Sequence, residues 1–99
     1  MEFSPELRDG VLGGDVSVSI RLWKTPRVRQ GRRYRVGVGQ VEIDGIELIR
    51  FEEVSTQDVR RSGERDLAAL RLRAAHSGPI DDDTLVYRVV FHAVRSDEP

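Results

Sequence analysis

Apolar residues recur along the chain with two different periods, and each change of period marks a new element. Leu7 and Val11 lie four residues apart, a helical spacing that ends at Gly13-Gly14. From Val16 the period becomes two, which predicts a half-buried strand that Thr25-Pro26 interrupts. The predicted elements are a helix over residues 5–12, strands over 16–23, 32–36 and 41–48, helices over 56–62 and 66–76, and a strand over 84–94.

The starts of the helices carry capping residues. Ser4, Pro5 and Glu6 predict the first helix: serine can cap free amides, proline fits the first turn, and glutamate complements the helix dipole. The segment 55–58 (STQD) resembles a capping box that opens the second helix. Gly63 is expected to end that helix.

The third strand contains a change of phase. Apolar positions alternate on one face over residues 41–43 and on the other over residues 46–48, and the slip falls at Asp44-Gly45. An Asp-Gly pair is typical of a hairpin turn, whereas a glycine also suits a β-bulge, so the pattern alone allows both. A bulge is favoured because the glycine-rich segment 37–39 already supplies a turn.

The last strand, residues 84–94, is apolar on both faces, which predicts a central position in the sheet. The order of elements is an α+β pattern. Antiparallel strands around one core with flanking helices predict a small, partly closed β-barrel, although an open sheet has the same periodicity. Residues 95–99 are expected to be a frayed tail.

Composition narrows the classes of function. The chain has 99 residues, 33% of them charged and 38% hydrophobic, which fits one folded domain over residues 1–99. Because it has no cysteine, a disulfide framework, a thiolate nucleophile and a cysteine zinc site are excluded. The longest stretch without Asp, Glu, Lys or Arg is Ala74–Ile80, which is too short for a membrane segment. We also expect no targeting segment and no cofactor, and hence a cytoplasmic protein.

Charge is strongly segregated along the chain. The net charge is −1, but residues 21–35, called the basic strip below, hold seven basic residues and no acidic one. Trp23 and Tyr34 lie within the strip. Guanidinium groups match phosphates and aromatic faces accept bases, so the strip suits a nucleic acid or nucleotide. A solvated surface that pairs with acidic groups elsewhere is the alternative.

Residues 14–21 (GDVSVSIR) resemble the signature of the ASCH domain family, whose usual pattern is Gly-x-Lys-Thr-x-Thr-x-Arg after a short helix. The segments GRRYRVG, EEVSTQDVRRSGE and LVYRVVFHAV agree with the family in order and spacing, and the resemblance covers about residues 3–94. It implies a PUA-like barrel and work related to RNA. Some small bacterial members are amidohydrolases that act on acetylated cytidine nucleosides.

The resemblance also implies roles for individual residues. The hydrolase activity relies on the signature lysine, its second threonine and a later glutamate; these positions correspond here to Val16, Ser19 and Glu64. Valine supplies neither a base nor a cation to activate a hydroxyl, which argues against catalysis. If the protein is nevertheless an enzyme, Ser19 and Glu64 are the candidates. Glu64 can equally be a residue that complements the dipole at a helix start.

The candidate ligand-binding residues form two groups. By analogy with the family, one strand face and the later glutamate line a cleft between barrel and helix; they are Ser17, Ser19, Arg21, Trp23 and Glu64. The strip adds Lys24, Arg27, Arg29, Arg32 and Arg33. An ordinary solvated face is the alternative for the first group.

Other conspicuous residues are assigned ordinary roles. Residues 81–83, three consecutive aspartates, are expected to be a solvated loop, and no metal site is predicted. His76 suits a helix C-terminus, and His92 has no evident partner in the sequence. Tyr34 and Tyr87 are expected to pack in the barrel.

The sequence therefore predicts a non-enzymatic ASCH-like domain that binds RNA or a nucleotide-like small molecule. A hydrolase of modified nucleosides, or a ribonuclease with a rearranged site, is the first alternative. A protein-interaction module is the second, because an acidic protein partner would suit the strip as well.

Overall fold

A computed structural model describes residues 1–75 and 78–94. The helices are α1 (Pro5–Gly13), α2 (Thr56–Arg61) and α3 (Leu67–Ala74), with a 3-10 turn at Phe51–Glu53. The strands are β1 (Val18–Arg21), β2 (Arg33–Val36), β3 (Gly39–Arg50) and β4 (Leu85–Val94). The order of these elements is the predicted one, and the α+β class is confirmed. The 3-10 turn was not predicted.

The four strands form an antiparallel sheet in the order β1-β4-β3-β2. Strand β4 lies between β1 and β3, which confirms its predicted central position. Strands β2 and β3 form a hairpin whose last pair is Val36 with Gly39, so the chain reverses where the glycine-rich turn was predicted. The outer strands β1 and β2 are the two edges of the sheet.

The phase slip in β3 is a β-bulge. Ile43 pairs with Phe91 and Gly45 pairs with Val90, so Asp44 is an extra residue without a direct partner on β4. The pairing continues to Arg50 on the far side, as the interpretation as one bent strand predicted. The bulge lets Ile43 and Ile46 contribute to the same hydrophobic cluster despite the change of phase.

Each face of the sheet carries its own hydrophobic cluster. The first cluster consists of Phe3, Val11, Val16, Val28, Val36, Val41, Ile43, Val89 and Phe91. The second consists of Val18, Ile20, Phe51, Val54, Val59, Leu70 and Val86. Helix α1 contributes to the first cluster, and α2 and α3 contribute to the second, so helices cover both faces.

The helix ends follow the predictions in part. Ser55 and Asp58 form the predicted capping box, each side chain accepting from the backbone amide of the other at 3.0 Å. Gly14, with φ 92°, and Gly63, with φ 82°, adopt the left-handed conformation that glycine allows where α1 and α2 end. The predicted capping by Ser4 is wrong, because its hydroxyl accepts a hydrogen bond from Arg73 of α3 instead.

The sheet does not close over the described residues, so the predicted barrel is unconfirmed. The segment between β1 and β2 crosses from one edge of the sheet to the other, because these two strands are its edges. Val28, only 4% exposed, fixes this crossing segment in the first cluster. No helix among residues 1–75 and 78–94 is long and apolar enough to cross a membrane. The predicted tail, residues 95–99, lies outside the described residues.

Candidate functional site: a cleft beside the edge strand

A cleft of about 510 Å³ lies along β1, at the edge of the sheet. The walls of the cleft are β1, α3 and the start of α1, and the segment after α2 supplies the remaining lining residues. Its lining residues are Glu2, Phe3, Ser4, Leu7, Val18, Ser19, Ile20, Arg21, Leu22, Trp23, Ser62, Glu64, Leu70, Leu72, Arg73 and Ala74. Four predicted site residues, Ser19, Arg21, Trp23 and Glu64, therefore line one cleft.

Arg21 is the principal cation on the β1 wall. Its guanidinium lies over the ring of Phe3, 4.8 Å from the centroid, and 5.8 Å from the centroid of Trp23. Its Nε donates to Ser19 Oγ at 2.6 Å, and Nη2 donates to the carbonyl oxygen of Glu2. These contacts hold a planar cation at a fixed place in the cleft.

The positive charge of Arg21 has no carboxylate in hydrogen-bond contact among the described residues. Burial lowers the pKa of Arg21, and the nearby carboxylate of Glu2 acts in the opposite direction. The guanidinium nevertheless stays protonated, because its ordinary pKa is far above neutrality. A partly desolvated cation without a carboxylate partner favours an anionic group in the cleft.

Ser19 and Ser17 differ in their positions. Ser19 is 8% exposed and lines the cleft, where its hydroxyl accepts the bond from Arg21. Ser17 is not a lining residue; its amide donates to the Arg61 carbonyl, and its carbonyl accepts from Phe91. The structure thus places one of the two predicted serines, Ser19, in the cleft.

Val16, at the signature lysine position, is a core residue. It is 5% exposed and belongs to the first cluster. Its Cγ2 lies 2.9 Å from the positions that a Cβ would take at Gly10 and at Gly63. The valine therefore fills the contact between α1 and the turn after α2, and it does not line the cleft.

Glu64 is held by an arginine that the sequence analysis did not select. The Glu64 side chain is 8% exposed and accepts a hydrogen bond from Arg73 Nε. Arg73 Nη1 also donates to Ser4 Oγ at 2.6 Å and to Glu6 at 3.1 Å. The hydrogen bond that Arg73 donates to Glu64, with a further one to Glu6, raises the pKa of Arg73, although burial lowers it. Arg73 thereby joins α3 to the start of α1 across the cleft.

Glu64 does not lie in the first turn of α3, where a dipole-complementing residue is usually found. Helix α3 begins after Asp66, whose side chain accepts from the Ala69 amide at 2.8 Å and caps the helix. Glu64 precedes that cap, and Arg73 engages its carboxylate. No local pattern identifies Arg73, because its contacts to Ser4 and Glu6 join residues far apart in the sequence.

Three aromatic side chains, Trp23, Tyr34 and Tyr87, pack against the first cluster. Trp23 lies against Tyr87 on β4 with ring centroids 6.1 Å apart. Tyr34 and Tyr87 both pack against the first cluster, in agreement with their predicted packing roles, though in an open sheet. The Tyr34 hydroxyl also accepts from the Arg29 amide at 2.8 Å, which ties the crossing segment to β2.

The basic strip extends from the cleft across the end of the sheet. Arg21 lies in the cleft and Arg33 pairs with Glu42 at 3.2 Å on β3. The cations between them are exposed and make no ion pair within residues 1–75 and 78–94; they are Lys24, Arg27, Arg29 and Arg32. Among these six predicted residues, Arg33 alone makes an ion pair within the part of the chain that the structure describes.

The remaining candidates lie away from the cleft. The three aspartates are exposed, as predicted: Asp81 accepts from the Asp83 amide and the Thr84 hydroxyl, and Asp82 pairs with Arg71. His92 does have a partner, Asp44, because the bulge brings that residue beside it. His76 lies outside the described residues.

The fold and the cleft define a small α+β domain with a ligand-sized cavity at the edge of its sheet. An ASCH domain from Lactobacillus crispatus JV V101 has a similar structure, with a TM-score of 0.70 and 17% identity, covering 89% of this chain and 70% of that one. Protein EF3133 from Enterococcus faecalis V583 is similar with a TM-score of 0.70 and 13% identity, covering 90% and 67% of the two chains. The hypothetical protein PH0355 has a TM-score of 0.72 and 14% identity, covering 95% and 96%.

These similarities show that the chain has the fold of an ASCH domain, as the resemblance of residues 14–21 implies. No protein-family model and no curated protein matches the sequence.

Proposed function

We propose that the protein binds RNA or a nucleotide-like ligand, with the cleft holding one nucleotide and the basic strip contacting neighbouring phosphates. The observation that carries this proposal is the Arg21 guanidinium, which lies in the cleft near two aromatic rings with no carboxylate in hydrogen-bond contact among the described residues. Such a cation suits a phosphate, since its planar fork can donate two parallel hydrogen bonds.

The size and lining of the cleft support a ligand of this class. Small-molecule sites have volumes of about 300 to 1,000 Å³, and the cleft has about 510 Å³. Leucines, an alanine and Trp23 are among the lining residues, so a flat base has apolar contacts available. Glu64 and Ser19 add polar groups that can orient the base by hydrogen bonding.

The strip extends the proposed binding surface beyond a single nucleotide. Lys24, Arg27, Arg29 and Arg32 are exposed on the segment that leaves the cleft at Trp23. A single strand with its first nucleotide in the cleft can place later phosphates along this segment. If three to five cations contact phosphates, the logarithm of the affinity should fall with the logarithm of salt concentration with a slope of about −2 to −3.5.

Fluorescence anisotropy with short labelled single-stranded RNAs across a salt series tests this proposal. The double variant Arg27→Ala/Arg29→Ala should bind more weakly to all sequences and should reduce the salt slope by about 1.4, at about 0.7 per phosphate contact. The variant Arg60→Ala/Arg61→Ala is the matched control, because it removes the same charge from exposed positions on α2 outside the strip. Undetectable binding at low salt, or equal losses in both variants, would refute the proposal and would favour an acidic protein partner.

Hydrolysis of a modified nucleoside is the second candidate, because Ser19 and Glu64 line the same cleft. The Ser19 hydroxyl accepts from Arg21, which is a donor only, and the Glu64 carboxylate is paired with Arg73. A hydroxyl needs an adjacent base to become a nucleophile, and no such base contacts Ser19 among the described residues.

We therefore expect no cytidine release when the protein is incubated with acetylcytidine and the products are separated by chromatography. The control is a calorimetric titration with the same nucleoside, which detects binding without turnover. Sustained turnover that is lost in both Ser19→Ala and Glu64→Gln would instead establish a hydrolase with a rearranged site.

A further inference from the structure

Three metal-ligating side chains, Glu42, Asp44 and His92, meet on β3 and β4 outside the cleft. One ligand atom from each lies within 4.8 Å of the other two. We propose that these residues form a binding site for a divalent transition-metal ion of the zinc class. None of them lines the cleft, so this proposal stands independently of the proposed function.

The backbone of the sheet creates this meeting point. Glu42 and His92 are direct partners across the β3–β4 ladder, which places their side chains side by side on one face. Asp44 lies two residues after Glu42 and is the extra residue of the bulge. Because it has no partner of its own on β4, its side chain is free to turn toward His92.

Two of the three groups are already in direct contact. His92 Nδ1 lies 2.8 Å from one carboxylate oxygen of Asp44 and 2.9 Å from the other. Zn–N and Zn–O bonds of about 2.0 to 2.2 Å place tetrahedral ligand atoms about 3.3 Å apart. His92 and Asp44 are exposed, with 53% and 43% of their side chains accessible, so small rotations can widen their contact to this spacing.

The donor set determines the class of ion. An imidazole with two carboxylates suits zinc and neighbouring transition metals, whereas magnesium and calcium prefer oxygen ligands alone. Three protein ligands leave a fourth position for water, and the two carboxylates neutralise the charge of the ion. An exposed three-ligand site with these features should bind zinc more tightly than magnesium.

Arg33 competes with a metal ion for one of the ligands. It faces Glu42 across the β2–β3 ladder and pairs with its carboxylate at 3.2 Å. Metal binding through Glu42 must weaken this ion pair. Since an exposed pair contributes about 0.2 to 1 kcal/mol, its removal in Arg33→Gln should tighten zinc binding by up to about fivefold.

Calorimetric titration of the full chain with zinc chloride, and separately with magnesium chloride, tests the site. We expect one zinc ion per chain, with binding at least about tenfold weaker in His92→Gln and in Asp44→Asn. His76→Gln and Asp15→Asn are the matched controls and should bind zinc as the unmodified chain does. Circular dichroism of each variant verifies that it is folded.

Several results of these titrations would overturn the proposal. Zinc binding that is lost in His76→Gln but retained in His92→Gln would overturn the proposal, as would equal affinities for zinc and magnesium or no zinc binding at all. An affinity that is unchanged in Arg33→Gln and in Glu42→Gln would remove Glu42 from the site and overturn its three-ligand form.

Discussion

Replacing Arg21 with methionine is expected to weaken the binding of a short single-stranded RNA by about 10- to 100-fold. Hydrogen bonds to charged groups contribute about 1.5 to 3 kcal/mol each, and Arg21 lines the cleft with no carboxylate in hydrogen-bond contact among the described residues. Methionine keeps an unbranched apolar chain beside Phe3 and Trp23, so the surrounding packing is retained.

Arg27→Met is the matched control for this substitution. It removes the same charge from an exposed position of the same strip, and its effect should be limited to one screened phosphate contact. Both variants can be compared by anisotropy at one fixed salt concentration. Equal losses would mean that the RNA contacts the strip alone and does not enter the cleft.

Replacing Asp58 with alanine is expected to lower the free energy of unfolding by about 3 kcal/mol, near the lower end of the range for breaking a buried ion pair. The Asp58 side chain is 7% exposed and accepts from Arg88 of β4 at 2.8 Å. It also accepts from the Ser55 amide within the capping box of α2. Its removal leaves Arg88, 23% exposed, without its buried partner.

Urea denaturation measures this loss, and Glu47→Ala is the control. Glu47 pairs with the same arginine at 3.2 Å, but its side chain is 59% exposed, so its loss should cost less than about 1 kcal/mol. Similar losses for the two variants would show that the buried pair contributes no more than the exposed one.

The same carboxylate makes stability depend on pH. Burial acts against the charged form of Asp58, but hydrogen bonds from Ser55 and Arg88 outweigh it, so the pKa of Asp58 is lowered. A pKa that is lower in the folded state stabilises the fold above the ordinary aspartate pKa of about 3.9, and this contribution disappears as the pH falls through the folded-state value. Asp58→Ala should therefore lose less stability on acidification than the unmodified chain does.

Much of the fold follows from local patterns in the sequence. Alternation predicts the strands, the glycines at 37–39 predict the hairpin turn, and the phase slip at Asp44-Gly45 predicts the bulge. Each of these signals acts over a few residues, so the chain displays it without tertiary context. Closure of a barrel depends on how the edge strands are arranged in space, and periodicity carries no information about that arrangement.

The cleft was predictable only in part, for the same reason. Arg21 and Trp23 stand out in a charged, aromatic segment, and the resemblance to a known signature adds Ser19 and Glu64. Arg73 and its bonds to the start of α1 have no local signal, since they join residues from opposite parts of the chain. The Asp44–His92 pair was missed because it requires both the bulge and the β3–β4 register.

The strand order β1-β4-β3-β2 also has a consequence for folding kinetics. The β2–β3 hairpin closes over a two-residue turn. Strand β1, in contrast, pairs only with β4, which is far from it in the sequence, as the pairing of Val18 with Val90 shows. Closing a longer loop costs more entropy, and distant contacts form more slowly. During synthesis β1 cannot pair until β4 has left the ribosome, so the nascent chain exposes an unpaired edge strand and the cationic segment after it until the last strand arrives.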